Sequence, residues 1–190
     1  MARKAAFLDR DGTLNDERGL HYIHRVSDFH WIEGAREAIR TLNEAGFLVI
    51  VVTNQAGIAK GLYTADDVDR LHDAVQVDLA EANAHIDAFY FSPYHVEGIV
   101  PEFAIMHEDR KPGAGLFERA IREHQIDPAQ SFMVGDKVSD LIPARKLGIA
   151  TALVLTGHGE DHQEATSADV VVTDVVAAVD WIVGQQKMKG

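Results

Sequence analysis

Short apolar runs alternate along the chain with longer segments in which apolar residues recur every three or four positions. The first pattern predicts buried strands and the second predicts amphipathic helices. Strands are predicted at residues 5–8, 47–52, 86–91, 132–137, 150–155 and 169–172. Helices are predicted at residues 33–45, 64–83, 114–124 and 175–186, with another that carries Pro143 in its first turn and ends at Leu147. Strands that alternate with helices predict an α/β fold built on an open, doubly wound parallel sheet.

Polar residues and glycines mark the ends of several of these elements. Thr64 and Asp67 are spaced as a capping box at the start of the second helix. Gly148 is expected to end the helix that reaches Leu147. No clean period runs through residues 14–32 or 92–112, so both are predicted to be long loops over the carboxyl end of the sheet. The lysine-rich end beyond residue 186 is expected to be frayed.

Composition and charge narrow the possible classes of protein. The 190 residues carry a net charge of −12, which disfavours binding to nucleic acid or to anionic membranes. Without cysteine, the chain has neither disulfides nor thiolate-bound zinc. No apolar run reaches the ~18 residues of a membrane span. We therefore expect a single domain over residues 1–190 that is cytoplasmic and monomeric and acts on a small molecule.

The most informative stretch follows the first predicted strand. Asp9 and Asp11 come directly after the apolar residues 5–8. Side chains alternate along a strand, so both carboxylates leave on the same face at its carboxyl end. Crowded carboxylates repel one another unless a cation lies between them, and hard oxygen ligands suit Mg²⁺. This arrangement supports phosphoryl transfer, in which one carboxylate attacks phosphorus and the other handles the proton.

Polar residues also follow two other predicted strands. Thr53 follows the second strand, and Asp136 ends the strand at residues 132–137, with Asp140 one helical turn further on. In open parallel sheets, ligands bind outside the carboxyl ends of the strands. Arg110 and Lys111 add a planar fork and a point charge that could hold phosphate. The coincidence of acids or a hydroxyl at three strand ends (Asp9 and Asp11, Thr53, and Asp136) favours an enzyme.

Two other interpretations of residues 9–13 are weaker. A surface turn would explain Gly12 but not two acids at the end of a buried strand. A calcium-binding loop would need glycine at its sixth position and glutamate at its twelfth. Counted from Asp9, Gly12 is the fourth residue and Leu20 is the twelfth, so this pattern fails.

Four segments together resemble the haloacid dehalogenase superfamily of phosphatases. They are Asp-Arg-Asp-Gly-Thr at 9–13, Thr-Asn-Gln at 53–55, Arg-Lys-Pro at 110–112 and Gly-Asp-Lys at 135–137. The resemblance covers almost the whole chain and implies a Rossmann-like fold. The space between the motifs leaves no room for a large cap domain. This is similar to the branch that contains heptose bisphosphate and histidinol phosphatases.

The resemblance also implies roles for individual residues. Asp9 would be the nucleophile that forms an aspartyl phosphate, and Asp11 would protonate the leaving oxygen and then activate water. Thr53 and Lys111 would hold the transferring phosphoryl group. Mg²⁺ would be bound by Asp9, Asp136 and the backbone carbonyl of Asp11. The residues implied to contact substrate are Gly19, Tyr22, Asn54, Gln55, Arg110 and Lys137.

One departure from the family concerns a second metal. That branch usually carries a structural zinc held by three cysteines and a histidine in its second long loop. Ser92, Tyr94, His107 and Asp109 stand at the matching positions here, so this structural zinc is expected to be absent. Weak metal binding by His95, His107 and Asp109 remains an alternative to a hydrogen-bonded loop.

The expected activity is Mg²⁺-dependent hydrolysis of a phosphomonoester, with a heptose bisphosphate as the first candidate substrate. Histidinol phosphate is the second candidate, and another small sugar phosphate is also possible. Nucleotide or polynucleotide phosphates fit less well because the chain is so acidic. A regulatory protein without catalysis would require the loss of the nucleophile or a metal ligand, and neither is lost.

Overall fold

The computed structural model describes residues 2–187, with side chains described through residue 186. Its strands and helices in chain order are β1 (Ala5–Leu8), β2 (Asn15–Asp16), β3 (His30–Trp31), α1 (Ala35–Glu44), β4 (Leu48–Asn54), α2 (Ala65–Glu81), β5 (Ala88–Ser92), α3 (Gly115–His124), β6 (Phe132–Gly135), α4 (Val138–Lys146), β7 (Ala150–Val154), α5 (Gly159–His162), β8 (Val170–Val172) and α6 (Val175–Lys187).

Six of the strands form one sheet in the order β5-β4-β1-β6-β7-β8, and every neighbouring pair is parallel. The first strand lies in the middle, where Phe7 aligns with Ile50 of β4 and with Met133 of β6. The chain therefore winds outward from β1 in both directions. The predicted doubly wound parallel sheet is confirmed.

Each face of the sheet is covered by helices, which explains why the strands are mainly apolar. Ala6 and Leu8 belong to the core under α1, α2 and α6, whereas Ala5 and Phe7 belong to the core under α3 and α4. Both cores are buried, and the ring centroids of Phe7 and Phe117 lie 5.2 Å apart. The two-sided burial holds β1 rigidly, and with it the residues that follow.

The predicted helix ends agree with local hydrogen bonds. The Thr64 Oγ1 accepts from the Asp67 amide (3.2 Å), and the Asp67 carboxylate accepts from the Thr64 amide (2.8 Å), which completes the capping box. Gly148 has the left-handed φ of +79° that ends a helix. Within residues 2–187, no helix is long and apolar enough to cross a membrane.

Several boundaries differ from the prediction. β4 continues through Asn54, because Thr53 and Asn54 stay paired with β5 although their side chains are polar. Pro143 is the sixth residue of α4, beyond its first turn, because the helix begins at Val138. The segment 14–32 contains the antiparallel pair β2–β3, and α5 was not predicted. Both are too short to show a hydrophobic period. The lysine-rich end predicted to be frayed lies outside the described residues, apart from the backbone of residue 187.

Candidate active site

A cleft of about 410 Å³ opens at the carboxyl ends of β1, β4 and β6. The structure brings most of the predicted site residues to its walls, namely Asp9, Asp11, Tyr22, Thr53, Asn54, Gln55, Arg110, Lys111 and Lys137. Asp136 lies fully buried directly beneath, with a carboxylate oxygen within 4.8 Å of one from Asp9. Gly19 is exposed and does not line this cleft.

The floor of the cleft is a buried group of three carboxylates. Oxygens of Asp9, Asp136 and Asp140 lie within 4.8 Å of one another, and each of these residues is at most 5 % exposed. Two lysines offset part of this charge. Lys111 Nζ lies 2.8 Å from oxygens of both Asp9 and Asp140, and Lys137 Nζ lies 3.4 Å from Asp136. Three anions and two cations leave an excess of negative charge that favours binding of a further cation.

Lys111 directs its ammonium group at the predicted nucleophile. Besides the two carboxylates, it donates to the Val52 carbonyl (2.7 Å), so its three protons each have an acceptor. Burial on its own lowers the pKa of Lys111, but the carboxylates of Asp140 and Asp9 outweigh it and hold the pKa above its ordinary value. The side chain is therefore charged at neutral pH.

Asp136 has the surroundings expected of a metal ligand. Its Oδ2 accepts from the His158 amide (2.9 Å), whereas its buried Oδ1 has no hydrogen-bond partner. Burial and the nearby Asp9 carboxylate raise the pKa of Asp136, which shows how poorly its charge is compensated by protein groups alone. A Mg²⁺ ion is bound by such hard carboxylate oxygens. The donor set of Asp9 and Asp136 therefore suits this ion.

Two glycines make room for the Asp136 carboxylate. A Cβ on Gly12 would lie 2.5 Å from Asp136 Oδ2, and one on Gly157 would lie 2.4 Å from the same oxygen. Gly12 also has a φ of +84°, which other residues rarely adopt. The Thr156 hydroxyl donates to the Gly12 carbonyl (2.7 Å) and ties the two loops together.

Asp140 braces the loop before α4. Its Oδ2 accepts from the Lys137 amide (3.0 Å), while Oδ1 pairs with Lys111. Burial raises the pKa of Asp140, and Lys111 opposes that rise. Because both oxygens of Asp140 are already engaged, Asp9 and Asp136 are the acids with oxygens left for a metal.

Asp11 is held at the side of the cleft by hydrogen bonds from two side chains. Arg10 donates to both of its oxygens, from Nε to Oδ1 (3.0 Å) and from a terminal nitrogen to Oδ2 (2.9 Å). Gln55 Nε2 donates to Asp11 Oδ2 (3.0 Å) and to the Thr53 hydroxyl (3.0 Å). Gln55 in turn accepts from the Tyr63 hydroxyl (2.8 Å). Gln55, expected to contact substrate, thus also orients Asp11 and Thr53.

The second long loop brings both Arg110 and Lys111 to the cleft. Asn54 holds the backbone of Lys111 by two hydrogen bonds. Arg110 donates to the Tyr94 carbonyl (3.2 Å) and reaches the cleft. Partial burial lowers the pKa of Arg110, as expected for a cation withdrawn from water.

The positions predicted to lack the family's zinc are held by other contacts. The rings of Tyr94 and His107 stack with centroids 3.9 Å apart, and Asp109 forms an ion pair with Arg119. Ser92 is buried in the last position of β5. Among the described residues, the group of three or more potential ligands that lies close enough for a metal is Asp9, Asp136 and Asp140.

Sequence reasoning missed three residues at this site. The sequence pattern assigned no role to Arg10, although its position between two site acids indicated an ion pair. Tyr63 looked like an ordinary aromatic residue. Glu17 lines the cleft, where burial raises the pKa of its carboxyl group, and it pairs with His158 at 3.4 Å. No pattern marks Glu17, because the loop that carries it has no period.

Comparisons with known proteins agree with this geometry. A family model described as "HAD-hyrolase-like" matches residues 109–178. The D-glycero-β-D-manno-heptose-1,7-bisphosphate 7-phosphatase of Haemophilus ducreyi is 40 % identical over 184 residues, which cover 96 % of this chain and 100 % of that protein. The chain belongs to the haloacid dehalogenase-like hydrolase family. The predicted resemblance is confirmed.

Other members of the haloacid dehalogenase-like family show the same relationship. The D-glycero-D-manno-heptose-1,7-bisphosphate 7-phosphatase of Thermosynechococcus vestitus is 41 % identical over 191 residues, covering 96 % of each chain. The crystal structure of D,D-heptose 1.7-bisphosphate phosphatase from B. bronchiseptica, complexed with magnesium and phosphate, superposes with a TM-score of 0.86. That pair is 27 % identical, with 96 % of this chain and 99 % of the other covered.

Proposed function

We propose that this protein hydrolyses the 7-phosphate of D-glycero-D-manno-heptose 1,7-bisphosphate through an aspartyl-phosphate intermediate. It is a phosphatase of the haloacid dehalogenase-like family. The observation that carries the mechanism is the buried Asp9 carboxylate, which lies 2.8 Å from the Lys111 ammonium at the meeting point of three strand ends. The relatives at about 40 % identity support the substrate.

The first half-reaction transfers the phosphoryl group to Asp9. An oxygen of Asp9 attacks phosphorus, the bond to the ester oxygen breaks, and its electron pair stays on the leaving oxygen. Asp11 gives that oxygen a proton, so the sugar leaves as an alcohol. Lys111, whose ammonium lies against Asp9, and the Thr53 hydroxyl, which lines the cleft, would hold the oxygens of the transferring group.

The second half-reaction regenerates the enzyme. Asp11, now a carboxylate, takes a proton from water, and the water oxygen attacks the phosphorus of the aspartyl phosphate. The bond to Asp9 breaks, which restores its carboxylate and releases inorganic phosphate. Lys111 stays beside Asp9 throughout and offsets its charge.

Asp9 and Asp136 are the side chains that would hold Mg²⁺, with the backbone carbonyl of Asp11 as the third group that the family resemblance implies. When bound, the ion offsets the charge of the phosphate and of the clustered carboxylates. Lys137, which lies 3.4 Å from Asp136 and lines the cleft, would contact the substrate phosphate.

The distal phosphate of a bisphosphate needs a second anion site. Arg110 supplies a planar fork that lines the cleft, and Tyr22 from the first loop lines the same space. These two residues would bind the C1 phosphate or the sugar hydroxyls. Gly19, predicted as a substrate contact, lies outside the cleft and has no part in this proposal.

A panel of phosphate esters tests this function. With Mg²⁺, the heptose 1,7-bisphosphate should have the largest kcat/KM, ahead of histidinol phosphate, glucose 6-phosphate and p-nitrophenyl phosphate. Asp9→Asn is the inactive control, since the amide keeps the shape but cannot form the phosphoenzyme. A higher kcat/KM for histidinol phosphate would replace the proposed substrate, and retained turnover in Asp9→Asn would refute the mechanism.

Localisation, assembly and the second metal of the family belong to the same proposal. We place the enzyme in the cytoplasm as a monomer that binds neither nucleic acid nor membrane. We also propose that it lacks the family's structural zinc, since the stack of Tyr94 on His107 and the pair of Asp109 with Arg119 support that loop. Elemental analysis finding one tightly bound zinc per chain would overturn this part.

A further inference from the structure

Arg10 is the largest fully buried side chain of the described residues, with 1 % of its surface exposed. A guanidinium in such a place is costly unless its charge and its protons are matched. The surrounding contacts therefore show what the side chain is built to hold. They come from three different parts of the chain.

The strongest contact is with Asp11. The two hydrogen bonds to Oδ1 and Oδ2 form a parallel fork, in which the guanidinium and the carboxylate are both fixed in rotation. Arg10 does not line the cleft, whereas Asp11 does. Arg10 thus reaches the reacting groups only through Asp11.

The opposite edge of the guanidinium is fixed by α2. A terminal nitrogen of Arg10 lies 3.1 Å from His72 Nε2. Burial, assisted by the charge of Arg10, lowers the pKa of His72 to about 3, so the ring is neutral and Nε2 accepts the hydrogen bond. The ring stacks on Phe89 with centroids 4.2 Å apart, which holds the acceptor in place.

The third contact ties Arg10 to the first long loop. Its other terminal nitrogen donates to the Ile23 carbonyl (2.6 Å) as well as to Asp11. The neighbouring residue Tyr22 lines the cleft. The adjacent His24 stacks on Tyr63, which leads through Gln55 to Asp11 Oδ2, the same oxygen that accepts from a terminal nitrogen of Arg10. The loop that faces substrate therefore reaches the Asp11 carboxylate by two routes.

We propose that Arg10 is a positioning residue for the proton transfers of Asp11, and that it links the orientation of that carboxylate to the docked first loop. This inference rests on the proposed function, in which Asp11 protonates the leaving oxygen and later deprotonates water. The fork from Arg10 fixes the rotation of the Asp11 carboxylate so that it faces the cleft for both transfers.

Two phosphate esters can distinguish this role from a structural one, because the leaving group of one needs a proton and that of the other does not. Benzyl phosphate and p-nitrophenyl phosphate are similar in size, but benzyl alkoxide must be protonated as it leaves and p-nitrophenolate is a stable anion. The kcat/KM value reports steps up to the departure of the leaving group, so it isolates the first proton transfer. Loss of folded protein would lower both values equally.

Arg10→Met should lower kcat/KM for benzyl phosphate on the order of 10²-fold, as expected for a misaligned general acid. The loss for p-nitrophenyl phosphate should be less than about threefold. Arg36→Met, which removes an arginine paired with Asp78 outside the cleft, is the matched control and should change neither value. Arg10→Lys keeps the buried charge without the fork and should show the same selective loss if Arg10→Met does not fold.

Equal losses on both esters in the folded variants, or no loss at all, would overturn the role of Arg10. The proposed function would survive either result, because it depends on the wild-type enzyme. A wild-type enzyme inactive on both esters and on the heptose bisphosphate would refute the proposed function and, with it, the role of Arg10.

Discussion

The Asn54 side chain makes two hydrogen bonds to the backbone of Lys111, donating from Nδ2 to the carbonyl (3.1 Å) and accepting at Oδ1 from the amide (3.0 Å). Both polar atoms of the amide are thus used to hold the residue whose ammonium lies against Asp9. The family resemblance implies a contact between Asn54 and substrate. The geometry favours a different main role, which is to fix Lys111.

Asn54→Ala should therefore lower kcat for every substrate by a similar factor, on the order of 10- to 100-fold, because Lys111 moves relative to the phosphoryl group. Asn43 offers a matched control. It makes the same pair of hydrogen bonds to the backbone of His85, on an exposed surface. Asn43→Ala should leave kcat unchanged. A loss in Asn54→Ala that is confined to large sugar substrates would show that Asn54 binds substrate directly.

Asp136 supplies the second test. Asp136→Ala should raise the Mg²⁺ concentration for half-maximal rate by at least about tenfold, since it removes a carboxylate ligand and the acceptor of the His158 amide. Titration of the rate with Mg²⁺ after treatment with EDTA measures this shift. The exposed Asp73 provides a control for loss of negative charge, and Asp73→Ala should titrate like the wild type. Identical metal dependence in all three proteins would exclude Asp136 as a ligand.

Substitution of Arg110 should affect a bisphosphate substrate more than a simple ester. Arg110→Ala should lower kcat/KM for the heptose bisphosphate by about one to two decades, which corresponds to about 1.5–3 kcal/mol for a lost charged hydrogen bond. The loss for p-nitrophenyl phosphate, which has no distal phosphate, should be much smaller. Arg122→Ala removes an exposed arginine of α3 and serves as the control. Equal losses on both substrates would instead place Arg110 on the transferring phosphoryl group.

His72 makes folding stability depend on pH. Its pKa is about 3 in the folded protein and near the ordinary value of 6.5 when unfolded, because burial and the Arg10 charge disfavour the imidazolium. Between these values the unfolded state binds more protons, so stability is lost as pH falls from 7 towards 3. The contribution of this group between pH 7 and pH 5 is about 2 kcal/mol.

His72→Phe should remove that contribution while keeping a ring against Phe89. Urea unfolding at pH 7 and pH 5 measures the difference, and the variant should lose about 2 kcal/mol less than the wild type over this interval. A wild type and a variant with the same pH dependence would show that His72 is protonated in the folded state near its usual pKa.

The strand ends made most of the fold and the centre of the site predictable. Asp9 and Asp136 each follow a short apolar run, and the carboxyl ends of parallel strands necessarily meet at one edge of the sheet. Their approach to within 4.8 Å follows from topology alone, once the alternation of strands and helices is recognised. The same reasoning placed Thr53 beside them, whereas Lys111 lies in the second long loop and its place there was implied by the family resemblance.

The partners of individual polar groups were not predictable in this way. Asn54 bonds to a backbone 57 residues further along the chain, and a polar residue past a strand looks the same whether it faces substrate or protein. Arg10 reads as an exposed turn residue, because charged side chains are seldom buried. Pro143 was predicted in the first turn of α4 but lies beyond it. The helix starts earlier, because the Asp140 carboxylate caps it before the apolar pattern begins.

The meeting of Gly12 and Gly157 also bears on how the metal site is assembled. The loop after β1 must meet the loop after β7, on the far side of the sequence, before Asp136 Oδ2 has its seat beside Gly12, Gly157 and the His158 amide. A piece of the chain that stops between residues 140 and 157 contains Asp9, Lys111 and all three clustered acids, yet lacks the His158 amide. The metal site therefore depends on a segment that contributes none of its ligands.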